Sequence, residues 1–348
     1  VKDFIRGTHV ILELELRQRV RTVAWYVLIG VFVVLVALVT AAVSFAMLGF
    51  GNKDSGGAVF STVIYFVLLL GTLVTPALSG NVINGDRDAG TLATTQVTLI
   101  TTWQLLIGKF LAAWITALTF LGAATPFLIY ATFVGGLGAD TVLVAILVLA
   151  VELGVVAAIG VGLSGLLPRP LFSIVLTYLA VAALSIGTLI AFSLLGLVTQ
   201  VDVRYETNTA NTYDVDGNGH DCGPLTVSVS RQPRFDIYWG VLVANPYVLL
   251  ADAVPTHYSS DGYPTDLFGE IKWAVRSSQL PPQTTYVYDE CNPSADAAPT
   301  AREVIGSTTP GWLVGLILHL LLAAGALLGA WARTKTPAGR LSRGSRVA

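Results

Sequence analysis

The chain is short of charge, cysteine and histidine, and each shortage removes a class of function. Only 12% of its 348 residues are charged while 54% are hydrophobic, and the mean hydropathy is +0.70. That balance excludes a soluble globular chain. The four histidines, His9, His220, His257 and His319, are scattered. Their spacing assembles neither a Ser/His/Asp nor a zinc constellation. No Gly-x-x-x-x-Gly-Lys-Ser/Thr run occurs, so no phosphate-cradling loop is present and the chain cannot hydrolyse ATP by itself. No catalytic residue and no nucleic-acid partner is expected.

What the chain has in abundance is apolar runs. Crossing a hydrocarbon core takes about 20 apolar residues per helix. Six segments meet that length: roughly 24–48, 59–80, 104–134, 141–167, 171–199 and 311–332. The runs are continuous rather than alternating, which predicts helices and not a barrel. The third and fifth exceed the need, so tilt, interfacial ends or a kink near Pro126 are expected. The first run is too long for a signal-peptide core and lacks a small-residue cleavage site, so it reads as a span.

Bases near the span ends set orientation. Lys2, Arg6, Arg17, Arg19 and Arg21 precede the first span, and Arg333, Lys335, Arg340, Arg343 and Arg346 follow the last. The loop at 49–58 offers only Lys53, and 135–140 offers no base. Both termini are therefore expected in the cytoplasm, along with the 81–103 loop. The predicted layout is an amphipathic helix in 1–23, five spans in 24–199, an extracytoplasmic domain in 200–310, a last span in 311–332 and a basic tail in 333–348. The fold class is thus all-α, a six-helix membrane bundle in contact with lipid. In the arm, Phe4, Val10, Ile11, Leu14 and Leu16 supply an apolar side, while Arg17, Arg19 and Arg21 are expected to meet water or headgroups.

The 200–310 segment is acidic and holds the only two cysteines, Cys222 and Cys291. Confinement to the oxidising side predicts a disulfide between them, worth about 4 kcal/mol in the chain-entropy model. Asp214, Asp216 and Asn218, followed by Gly219, resemble the start of a calcium loop, although position twelve is Leu225 rather than Glu. A turn that binds nothing is the alternative. The runs 238–243 and 247–250 are apolar but too short to span. They suit re-entrant or interfacial helices or a domain core, and their Tyr and Trp favour the interface.

Two ionisable side chains lie inside spans, Glu152 and His319. Such groups are costly in lipid and usually face protein or a water-filled route. They are candidates for the substrate path, or for pairing with each other as interhelical glue. Small residues recur at Gly160, Gly162, Gly165, Gly311, Gly315, Gly325 and Gly329, which predicts close helix packing within the bundle.

The loop after the second span reads Gly85-Asp86-Arg87-Asp88-Ala89-Gly90-Thr91-Leu92, then Leu99, Thr102-Trp103-Gln104 and Gly108-Lys109-Phe110. With six spans, an amphipathic arm and an outer domain before the last span, this pattern resembles the type 2 ABC-transporter permeases. The family's usual Glu is Asp here, and its Pro before Trp103 is Thr102. The resemblance implies a cytoplasmic coupling helix, with Asp86, Arg87, Asp88, Gly90, Thr91 and Leu92 meeting an ATPase. It further implies two ABC ATPase subunits that bind ATP and magnesium, a second permease copy or paralogue, and a bacterial plasma membrane. The function it implies is export of a hydrophobic or amphipathic cargo by alternating access at the dimer seam. Physically, Gly90 would permit a tight turn and Thr91 would cap the next helix. An ion-coupled secondary transporter or channel using Glu152 and His319 is the second expectation. A membrane-embedded enzyme or scaffold is the third.

Overall fold

The computed structural model describes residues 2–49, 56–92, 100–208, 210–213, 220–222, 224–289 and 299–335. Six of its helices are long and apolar enough to cross a membrane. They are span 1 (Val23–Gly49), span 2 (Gly56–Ser79), span 3 (Thr102–Gly135), span 4 (Ala139–Leu166), span 5 (Pro170–Val198) and span 6 (Trp312–Thr334). Each lies within a few residues of its expected position. Span 3 is one uninterrupted helix through Pro126. Span 5 instead carries a single π turn at Ala183–Gly187, midway along its length. The end of the bundle that carries both termini is termed the near face, and the opposite end the far face.

Spans 2, 3 and 4 form the centre: 56% of the most apolar window of each is buried, against 17–22% for spans 1, 5 and 6. Ile64 and Leu68 of span 2, Phe120 and Ala124 of span 3, and Leu149 and Leu153 of span 4 are almost fully enclosed in one cluster. Span 1 joins it through Trp25 and Phe32, both edge-on to Phe120 at 5.5 and 5.1 Å. The small residues of span 4 work within the bundle, as expected. A Cβ on Gly162 or Gly165 would run into Ala326 or Ala330 of span 6, so their absence lets the two helices close up. Gly325 has no neighbour within reach of a Cβ.

The all-α expectation fails at the far face. Strands β1 (Gln200–Asn208), β4 (Thr226–Pro233) and β5 (Thr285–Asp289) make a three-stranded sheet in the order β4-β1-β5. β1 and β4 are antiparallel, with Val203 opposite Ser230, while β1 and β5 are parallel, with Tyr205 opposite Tyr286. β2 (Ala210–Tyr213) and β3 (His220–Cys222) form a separate two-stranded pair. The cause lies in short alternating runs such as Val201-Asp-Val-Arg-Tyr and Thr226-Val-Ser-Val-Ser, whose period of two suits a pleated strand. Cys222 ends β3, while Cys291, Asp214, Asp216 and Asn218 lie outside the described residues. So do Arg340, Arg343 and Arg346 of the tail.

The apolar runs of 238–250 leave the surface altogether. A 3-10 helix, Trp239–Ala244, descends from the far face, and an α-helix, Pro246–Ala253, climbs back. Asn245 makes the reversal: its side chain accepts from Tyr247 N and Val248 N, and Pro246 follows at the first helical position. Leu249, Leu250 and Ala251 are fully buried, and the last two join the core of spans 2–4. This is a re-entrant hairpin rather than an interfacial helix. Its tip touches Thr188 of span 5 and His319 of span 6, ten and seven residues in from the far ends of those spans. At 1.5 Å per residue the tip is about 10–15 Å deep.

Candidate functional site

Two polar nodes and one cavity stand out in this bundle. The first node is at the near face. The chain leaves span 2, turns, and forms a short helix, Asn84–Asp88. Asp86 Oδ2 meets Lys109 Nζ at 2.8 Å, and Lys109 also bonds Glu15 of the N-terminal helix (Lys2–Val20). Lys109 is only 2% exposed, so its charge is held by two carboxylates and little water. One residue earlier, a Cβ on Gly108 would strike Ile11, so glycine there lets the N-terminal helix press onto span 3. Gln104 ties the same two helices, donating to Asp3 O at 3.0 Å. Its own span begins with a capping box, in which Thr101 Oγ1 accepts from Gln104 N and Gln104 Oε1 accepts from Thr101 N. Trp103 stacks on Trp331 at 5.4 Å, joining span 3 to span 6.

The short helix is fastened on its other side as well. Ile83 N and Asn84 N both donate to Ser164 Oγ of span 4, at 2.9 and 3.2 Å. Asn84 Nδ2 donates to Ser173 Oγ of span 5 at 2.9 Å, and Ser164 Oγ donates back to Asn84 Oδ1 at 3.0 Å. Asn84 is fully buried. Sequence reasoning missed Asn84, Ser164 and Ser173, because isolated small polar residues carry no period. Arg19, expected to face water or headgroups, turns inward instead. It donates to Leu78 O at 3.1 Å and Thr116 Oγ1 at 3.0 Å, satisfying a carbonyl in the last turn of span 2. Burial lowers its pKa from the usual guanidinium value, and Glu15 offsets part of that.

The expected coupling residues therefore divide. Asp86 points into the bundle, while Asp88, Gly90 and Thr91 are exposed and Arg87 is half-buried. Gly90 has φ +72°, the left-handed conformation a side chain resists. Thr91 Oγ1 donates to Asp86 O at 3.2 Å, closing the end of the helix before it. Leu92 is buried with Ile83, Leu105 and Leu106.

The second node brings Glu152 and His319 together. His319 Nδ1 lies 2.8 and 3.0 Å from the two Glu152 oxygens, and its Nε2 lies 3.0 Å from Ala244 O at the hairpin tip. Both side chains are at most 2% exposed. Asn245 Nδ2 fixes the same tip to span 5, donating to Ser185 O at 2.6 Å, inside the π turn, and to Thr188 Oγ1 at 2.9 Å. Gly315 lets the hairpin approach span 6, since a Cβ there would collide with Val243 O.

Above this node, Asp252 near the end of the re-entrant helix binds Arg276 Nε at 2.7 Å and accepts from Gly311 N and Trp312 N at 2.8 and 2.9 Å. Its carboxylate thus caps the positive end of span 6. Arg276 belongs to the helix Leu267–Ser277 and also donates to Thr308 O at 2.7 Å.

A cavity of about 580 Å³ lies between spans 2 and 5 and the re-entrant helix. Leu69, Leu73, Tyr178, Ile186, Leu189 and Tyr247 are among its walls, and among the described residues no charged side chain lines it. No cluster of three or more His, Cys, Asp or Glu side chains suited to a metal ion occurs among the described residues. No protein-family model matches this chain, and no curated protein matches it significantly.

Proposed function

We propose that the chain is the membrane subunit of an ATP-driven exporter, with its near face in the cytoplasm. The observation that carries this reading is the fastening of the short helix Asn84–Asp88. It is tied to the N-terminal helix and span 3 through Asp86, Lys109 and Glu15, and to spans 4 and 5 through Asn84, Ser164 and Ser173. A helix held to four elements at once transmits a push to all of them, while Arg87, Asp88 and Gly90 are left accessible to a partner. The chain itself has no ATP-binding loop, so the push comes from separate ATPase subunits with ATP and magnesium. The bases Lys2, Arg6, Arg17 and Arg333 collect on this side, which agrees with a cytoplasmic orientation. The uncharged cavity beside spans 2 and 5 suits a hydrophobic or amphipathic cargo, and a second copy would complete the route.

The test is co-purification of the tagged full chain from mild detergent, with ATPase activity assayed on the complex. An ATPase is expected to accompany the wild type, and Arg87→Glu/Asp88→Lys is expected to weaken its binding at least tenfold by charge reversal. Absence of any ATPase from well-folded wild type would sink the reading. The Glu152–His319 pair favours a second reading, an ion-coupled transporter. A proton gradient driving uptake or release in liposomes without ATP would establish that reading instead.

A further inference from the structure

The Glu152–His319 node has a proton count that geometry alone dictates. Both imidazole nitrogens face acceptors: Nδ1 a carboxyl group and Nε2 the carbonyl of Ala244. A neutral imidazole carries one N–H and satisfies one of them. The second contact needs another proton, held on Nδ1 as an imidazolium–carboxylate pair or on Glu152 as a carboxylic acid donating to Nδ1. Either way the node is neutral overall, as burial at this depth favours.

We infer that Glu152 and His319 form a proton-binding site whose occupancy latches the re-entrant hairpin. When the shared proton leaves to water, the imidazole keeps a single hydrogen. A bond to an ionised carboxylate is roughly twice as strong as one to a neutral carbonyl, so that hydrogen stays on Nδ1. Nε2 then presents a lone pair to Ala244 O, and the bond holding the tip to span 6 is lost. The tip residues Asn245, Tyr247 and Val248 wall the cavity between spans 2 and 5, so the proton state reaches the cavity wall through one contact.

Charges on the neighbouring elements are engaged elsewhere. On the hairpin and the helix behind it, Asp252 and Arg276 bind each other at the far end. On span 3, Lys109 is held by Glu15 and Asp86 at the near face. The 3-10 helix Trp239–Ala244 contributes no ionisable side chain, and Arg333 of span 6 lies in its last turn. The site stands on these contacts whether or not an ATPase drives the chain.

The experiment is hydrogen–deuterium exchange of residues 239–253 in the full chain in lipid nanodiscs, followed across pH and corrected for intrinsic exchange. The wild type is expected to show a protected tip that loosens in one step as pH rises. The size of the step is about tenfold, the factor one hydrogen bond corresponds to. His319→Gln places a non-titrating amide donor toward Ala244 O, so it should keep the protection and lose the step. Glu152→Gln should also lose the step, because the neutral imidazole then keeps Nε2–H at all pH values. A purely structural role predicts uniform loosening in both variants and no pH step in the wild type. That result, or a step surviving in His319→Gln, overturns the proposal. Should either variant misfold, ¹⁵N spectra of the histidines in the wild type decide. A His319 Nε2 without hydrogen at low pH refutes the latch, and loss of that hydrogen as pH rises supports it.

Discussion

Lys109 is the residue on which the near face turns. It is nearly enclosed, yet its two partners differ: Glu15 is 13% exposed and Asp86 36%. Removing one member of a buried pair costs about 3–5 kcal/mol because the remaining charge is stranded. Water at Asp86 relieves part of that, so Lys109→Met is expected near the lower end of the range. Thermal unfolding of the full chain in detergent would measure it, and Lys109→Arg should recover most of the loss. An unchanged melting point in Lys109→Met would show that the node contributes nothing. This residue was legible in the sequence as part of Gly108-Lys109 ahead of an apolar run. Asn84 was not, because nothing in its neighbours' pattern distinguishes a buried, fully bonded amide from a solvated loop residue. Asp86 was legible as a charge but not in its direction: a five-residue helix turns one carboxylate inward and the next outward.

The elements best foreseen were the spans, since some twenty consecutive apolar residues leave a helix as the only way to satisfy the backbone in lipid. The strands at the far face were not foreseen. Their alternation lasts only a few residues, and the parallel pairing of β1 with β5 joins residues 81 positions apart, as with Tyr205 and Tyr286. The re-entrant hairpin fell between these cases: its apolar character was evident, its depth was not. Depth is set by polar contacts at the tip, which only the fold brings together. The element most dependent on one side chain is span 6, whose first turn rests on Asp252. Asp252→Ala strands Arg276, itself 5% exposed, and removes acceptors from Gly311 N and Trp312 N. The expected loss is about 3–5 kcal/mol, read as a fall in unfolding midpoint. Limited proteolysis should then find new cleavage in 254–266. A variant as stable and as resistant as wild type would contradict this account of the span's entry.

At the scale of the whole molecule, pH acts on the far face through Asp266. This residue caps the helix Leu267–Ser277, accepting from Gly269 N at 2.7 Å, and is 4% exposed. Burial raises its pKa above 3.8, with Gly269, His257 and Lys272 offsetting part of the rise. The native state therefore binds the proton more tightly than the unfolded chain. Its contribution to stability is full below pH 3.8 and is lost as pH rises through the raised native value. Asn caps a helix as well as Asp does, so Asp266→Asn should raise stability at neutral pH and steepen the acid limb of the stability–pH curve, because the gain from protonating Asp266 is removed. An unaltered limb would assign the dependence to other groups. The pairing of Glu152 with His319 has a further consequence, for the birth of the protein. The two are 167 residues apart in the chain. A ribosome adding about 5–20 residues per second leaves span 4 without its imidazole for roughly 10–30 s. Through that interval a lone carboxyl sits at membrane depth, and the tip that will bond the imidazole has not yet met span 6. The nascent bundle must keep that group protonated, wet or shielded by the insertion machinery until the last helix arrives.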